Sequence, residues 1–133
     1  MAKLRLTDGE RWVLGISVFA GALLTVIGVR FLLVPTSAAF TFGVSAPPAG
    51  HELHYVIGLR DVWLGLLAIA FAALRQWRAL ALWFGLGAPV CFADAAIVAG
   101  SMGWQPQFAF HLGSGVVCLA LTLFTLRMDR RET

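Results

Sequence analysis

An all-α integral membrane four-helix up-down bundle is the fold this sequence predicts, and three observations predict it. Of its 133 residues 59% are hydrophobic and only 13% are charged, about half the charged share of a soluble domain. Four apolar runs each approach the roughly 20 residues needed to cross a bilayer. The short links between the later runs force antiparallel neighbours. At this length the chain makes one transmembrane domain, 1-133. Nucleic acid is excluded as a partner, because the net charge of +3 comes from basic residues that flank the apolar runs and form no continuous stripe.

Span 1 covers about 12-33 and is stopped by Pro35, which cannot continue a helix. Span 2 covers about 56-74 and ends at Arg75-Gln76-Trp77-Arg78; span 3 covers about 79-99 and span 4 about 107-126. The connection 35-55 is the one sizeable loop, and Phe40, Phe42, Val44 and Leu53 make it apolar for a water-facing segment. It is either a lid that dips over the bundle mouth or a plain loop wrapped on the helix ends. Cleavage of a signal peptide near Ser37-Ala38-Ala39 is disfavoured, because the preceding apolar run exceeds the usual length of about 7 to 15 residues.

Eight of the ten Lys and Arg residues lie in three segments: Lys3, Arg5 and Arg11; Arg75 and Arg78; Arg127, Arg130 and Arg131. The positive-inside rule makes these segments, and therefore the N-terminus and C-terminus, cytoplasmic. The expected location is a bacterial inner (plasma) membrane, crossed several times. The links 34-55 and 100-106 hold no Lys or Arg and face outward. So one-sided a bias argues against dual topology. Cys91 and Cys118 fall near the middle of spans 3 and 4 without a Cys-x-x-Cys spacing, and read as small apolar packing residues.

Topology leaves five ionisable residues unexplained: Arg30, Arg60, Asp61, Asp94 and His111. An ionisable group inside a span costs at least about 2.5 to 3.5 kcal/mol when central, so it normally faces the bundle interior and has a partner. At 1.5 Å per residue all five lie about 4 to 8 Å below the outer ends of their helices. Every span thus contributes to one polar layer. Arg60 and Asp61 are about 100° apart on the helix and are expected to look to different neighbours. Gly28-Val29-Arg30 and Gly58-Leu59-Arg60 repeat one pattern, and the two glycines allow close helix approach. Pro89 precedes Asp94 and should loosen span 3 beneath it.

The layer has two open readings. Two Arg and two Asp sum to zero charge, so paired charges would fix helix register. Alternatively the layer is a site, since buried ion pairs stabilise poorly and Pro89, His111 and the apolar loop surround it. An Asp paired with Arg stays ionised and accepts a proton or a cation, whereas an unpaired one in an apolar pocket donates a proton.

His51-Glu52-Leu53-His54 has its imidazoles at i and i+3 in a loop, unlike the helical i, i+4 pair of zinc peptidases, and reads as a polar edge near the headgroups. No metal site is expected. Trp12, Trp77, Trp83 and Trp104 sit near span ends as interfacial anchors. Trp63, about one turn from Arg60, either offers a ring face to a guanidinium or ligand cation or faces lipid.

The string Gly28-Val29-Arg30, Pro35, Phe42-Gly43-Val44, Gly58-Leu59-Arg60-Asp61 with Gly65, then Asp94, resembles a family of small four-span bacterial and fungal membrane proteins classed as a domain of unknown function. The layout is similar to that of DoxX-like membrane proteins, over about residues 12 to 126. The resemblance implies the four-span fold and importance for Arg30, Arg60, Asp61 and Asp94, and implies no activity.

Three functions remain. One is a redox-neutral acid-base enzyme, an isomerase or cyclase acting on an apolar lipid-like small molecule. In it Asp94 or Asp61 moves the proton, His111 shuttles it, Arg30 and Arg60 hold a substrate oxygen, and Trp63 contacts the ligand. No cofactor motif is present, which directs this reading to redox-neutral chemistry. A second is a small proton-coupled multidrug-type exporter working as a dimer, although a carrier site belongs nearer the midplane. The third is a non-catalytic lipid-binding or assembly subunit. A homo-oligomer is compatible with each.

Overall fold

The structure, a computed structural model, describes residues 6–47 and 49–132, with side chains as far as residue 130. Lys3, Arg5 and the Arg131 side chain lie outside the described residues. α1 (Asp8–Leu33) begins ahead of the apolar run because Thr7 and Glu10 form a capping box. The Thr7 hydroxyl accepts from the Glu10 N–H at 3.3 Å, and the Glu10 carboxylate accepts from the Thr7 N–H at 2.6 Å.

Pro35 ends one helix and starts another. The Val34 N–H closes α1 on the Arg30 carbonyl at 2.8 Å, and Pro35 opens α2 (Pro35–Phe42) at the first helical position, where its missing N–H costs nothing. The connection expected as lid or plain loop is therefore helical in its first part. Gly43 ends α2 at φ 114°, and a Cβ there would lie 2.8 Å from the Val98 methyls.

α3 (Glu52–Ala73), α4 (Trp77–Met102) and α5 (Pro106–Glu132) follow, joined by turns at 74–76 and 103–105. α4 runs unbroken through Pro89, so the loosening expected beneath Asp94 does not interrupt the helix. α1, α3, α4 and α5 are long and apolar enough to cross a membrane. Their outward side chains are large and apolar, as Leu33, Leu66, Leu86 and Leu123 show. The chain is a multi-pass integral membrane protein with an all-helical fold.

The helices pack as two close antiparallel pairs, α1 with α3 and α4 with α5. Glycines permit the first. A Cβ on Gly28 would lie 2.6 Å from the Gly58 carbonyl, one on Gly58 would lie 2.8 Å from the Gly28 carbonyl, and Gly21 repeats the clash with Gly65. Backbones meet directly, which supplies dispersion contact in a solvent that offers no hydrophobic drive between helices. In the second pair the Phe92 ring occupies the space over Gly115. Hydroxyls in the spans turn back on their own helices: Ser17 donates to the Val13 carbonyl at 2.7 Å and Thr125 to that of Leu121 at 2.8 Å. No polar group of theirs is left to the lipid.

One end of the bundle carries the basic segments. There Val13, Ala72, Trp77, Leu80, Phe84, Leu121 and Met128 join α1, α3, α4 and α5 in one core cluster. Arg75 reaches Glu10 at 3.7 Å and Arg78 reaches Asp129 at 2.7 Å. Trp77, expected as an interfacial anchor, is buried in this cluster instead, because the tight turn directs it inward. At the far end Phe31, Ala38 and Ala39 form a smaller cluster of α1 and α2, supported by Ile57 of α3.

Candidate functional site

A cavity of about 270 Å³ opens at the far end between α1, α2 and α5. Leu23, Ile27, Phe31 and Phe110 make its walls, and Arg30, Thr41, Gln107 and His111 bring polar groups to it. Pro35 creates the third wall by turning the chain into α2, which carries Thr41 back to Arg30. The Thr41 hydroxyl donates to the Ser37 carbonyl at 2.9 Å and accepts from Arg30 Nη2 at 3.1 Å. α2 is thus fastened to α1 through a neutral group.

His111 fastens α2 to α5. Its Nε2 lies 3.1 Å from the Phe42 carbonyl oxygen, and its ring meets the Phe42 ring with centroids 4.5 Å apart. A carbonyl only accepts, so the contact as a hydrogen bond assigns the proton to Nε2 and leaves Nδ1 with the lone pair in the neutral ring. The loop after α2 is held to α4 by the Ser45 N–H, which donates to Ser101 Oγ at 2.9 Å.

The carboxyl groups of Asp61 and Asp94 do not line this cavity. Asp61 is buried in α3, and both Nε and Nη2 of Arg60 donate to its Oδ1 at 3.1 Å. This corrects the expectation that neighbours 100° apart turn to different partners: the arginine side chain is long enough to curl around the helix. This leaves the Arg60 side chain 55% exposed while that of Asp61 stays covered. Asp94, on α4, is half-buried and within electrostatic range of His111, Arg60 and Asp61. The set holds two carboxyl groups to one guanidinium.

Of the residues singled out in the sequence, Arg30 and His111 share the cavity; Arg60, Asp61 and Asp94 form the charged group adjoining His111. Trp63 is 62% exposed on α3 and lies outside the cavity lining. Sequence reasoning missed Thr41, since nothing in 35-55 marked a helix beyond Pro35 itself, and Gln107, an uncharged amide at the start of span 4 that no cost of burial singled out. It also misplaced His54, which is buried in the first turns of α3 and stacks on Phe31 at 6.1 Å rather than forming a polar edge. Its Nδ1 is buried without a hydrogen-bond partner. The His51 and His54 rings stand 5.9 Å apart, and among the described residues no three metal-ligating side chains converge. Cys91 and Cys118 are free thiols that face one another across α4 and α5.

A family model described as a domain of unknown function (DUF4267) matches residues 21–125, a stretch that includes every residue of the cavity and of the charged group. No curated protein and no solved structure matches the chain.

Proposed function

The chain belongs to the DUF4267 family, and from that premise we propose that it binds an apolar, lipid-like small molecule in the cavity between α1, α2 and α5. The observation that carries the reading is a cavity of apolar walls with a few polar groups on its rim, inside a bundle that crosses the membrane. Concave apolar sites with a small number of placed polar groups are the usual form of small-molecule sites. In this reading a ligand enters from the leaflet with its polar end at Arg30 and His111.

Mass spectrometry of molecules that co-purify with mildly solubilised protein tests it. Wild type should carry a stoichiometric apolar ligand, and Leu23→Trp, which fills the cavity from one wall, should lose it while eluting as the same folded species. An equal ligand content in the two would remove the cavity as the site.

A second reading, redox-neutral acid-base turnover of that ligand by an isomerase or cyclase, rests on His111, which lines the cavity and lies within electrostatic range of Asp94. With Nε2–H held by the Phe42 carbonyl, Nδ1 is the nitrogen that takes or returns a proton, and Asp94 supplies charge behind it. Asp94→Asn should retain the bound molecule and leave it chemically unconverted; identical turnover in the variant would sink the enzyme reading alone. Proton-coupled export draws less support, since the cavity sits at one end of the bundle and not at its middle.

The proposal includes an orientation in a bacterial inner membrane, with the basic end and both termini cytoplasmic and the cavity facing outward. Single cysteines introduced at Ser45 and Gln76 should label from opposite sides, Ser45 from outside.

A further inference from the structure

We propose that the ligand of this cavity carries an anionic oxygen group, a carboxylate or a phosphate, and that Arg30 is the residue that reads it. This rests on the cavity being the binding site, and it adds the chemistry of the ligand's polar end.

Arg30 belongs to a membrane-crossing helix, where a guanidinium requires a counter-charge or strong acceptors. Among the described residues no carboxylate pairs with it, whereas Arg11, Arg60, Arg75 and Arg78 each reach an acid. Its neutral partner, Thr41 Oγ1, occupies one of five N–H donors. The partial negative charge at the α1 C-terminus, in whose last turn Arg30 stands, offsets the cation only in part.

The rest of the lining agrees with an anion. It contains no Asp and no Glu. The Thr41 hydroxyl proton is committed to the Ser37 carbonyl, and the His111 Nε2 proton is directed to the Phe42 carbonyl. The donors left for a ligand are therefore those of Arg30 and the side-chain amide of Gln107. That amide has its Oε1 buried without a partner, and a 180° turn would bring its NH2 to the same place. Asp61 is paired with Arg60 instead, and Asp94 lies within electrostatic range of that same guanidinium. The protein thus keeps its two intramembrane arginines in different chemical states, one neutralised by its own carboxylate and one left for an external one. A planar guanidinium suits a carboxylate or phosphate through two parallel hydrogen bonds.

The anion has two sources, a free amphiphile or the headgroup of a membrane lipid, and one experiment separates them. Protein in nanodiscs of phosphatidylcholine is titrated with dodecanoate and with dodecanol, and binding is read by native mass spectrometry. Wild type should prefer dodecanoate at least tenfold, Arg30→Gln should abolish the preference, and Arg30→Lys should restore part of it. Repeating the titration in nanodiscs containing phosphatidylglycerol identifies the source. Weakened dodecanoate binding there that depends on Arg30 supports a lipid headgroup as occupant, and unchanged binding supports a free amphiphile. Equal binding of dodecanoate and dodecanol, with both lost in Leu23→Trp, would overturn the anionic group and leave the cavity standing as the site. Binding of neither probe to wild type in either nanodisc would overturn both. Should Arg30→Gln fail to fold, the comparison of the two probes on wild type still decides.

Discussion

The two ends of the bundle solve different problems. At the basic end all four spanning helices meet in one cluster, with Phe84 and Leu80 fully enclosed and the connecting turn only three residues long. At the far end α4 and α5 are likewise joined by a short turn, but α1 and α3 are joined through an inserted eight-residue helix, and the space between α1, α2 and α5 is left open as a cavity. Polar groups follow the same division. The basic end uses its charges in ion pairs on the outside of the helices, such as Arg78 with Asp129, whereas the far end turns Asp61 and His111 inward. A membrane bundle cannot draw on hydrophobic drive to hold its helices together, so the closed core at one end allows a cavity at the other, although an open groove of about 430 Å³ also lies between α4 and α5 at the basic end.

The largest expected effect sharpens the role of the glycines that run between the ends. Gly65→Leu places a branched side chain where the Gly21 carbonyl and Thr25 already stand, and α1 and α3 cannot approach; monodisperse protein should not be recovered. Gly113→Leu, with open space around its Cβ position, should purify as wild type. Next comes the contrast between the two clusters. Phe84→Ala should cost about 3–5 kcal/mol, seen as a lowered thermal midpoint in detergent. Phe31→Ala should cost less, because its ring already borders a cavity. The reverse order would break the comparison of a packed and an open end.

A smaller effect is expected where α2 is fastened. His111→Leu removes the group that meets the Phe42 carbonyl, worth about 1 kcal/mol, and should speed amide exchange in 35–43 while leaving the α3–α4 turn unchanged. His111→Gln, which retains a donor, should recover part of the protection. Arg78→Ala should have the smallest effect of all, since this ion pair is exposed: the midpoint should barely move, and less still at high salt.

Much of the fold was legible from residue types alone. Four apolar runs, the three basic segments and the small residues Gly28 and Gly58 sufficed for four crossing helices and one close pair, because bilayer thickness and backbone approach depend on length and side-chain size. Helix starts were less legible: the Thr7 and Glu10 capping box carried α1 past the apolar run, and Pro35 looked like a stop although it also begins α2. For the candidate site, Arg30, Arg60, Asp61, Asp94 and His111 stood out because ionisable groups are costly in lipid. Their partners did not. Nothing in the spacing showed that Arg60 curls onto its own neighbour, or that Thr41 and the Phe42 carbonyl come to Arg30 and His111.

The sequence by itself determined the membrane-crossing helices, their number and the polar layer near one end, since these follow from local hydropathy and charge. Only the tertiary structure decided which charges neutralise one another, that Trp77 and His54 turn inward, and that a cavity forms beside Arg30. Those outcomes depend on distances of a few ångströms between segments far apart in the chain, and local composition does not encode such distances.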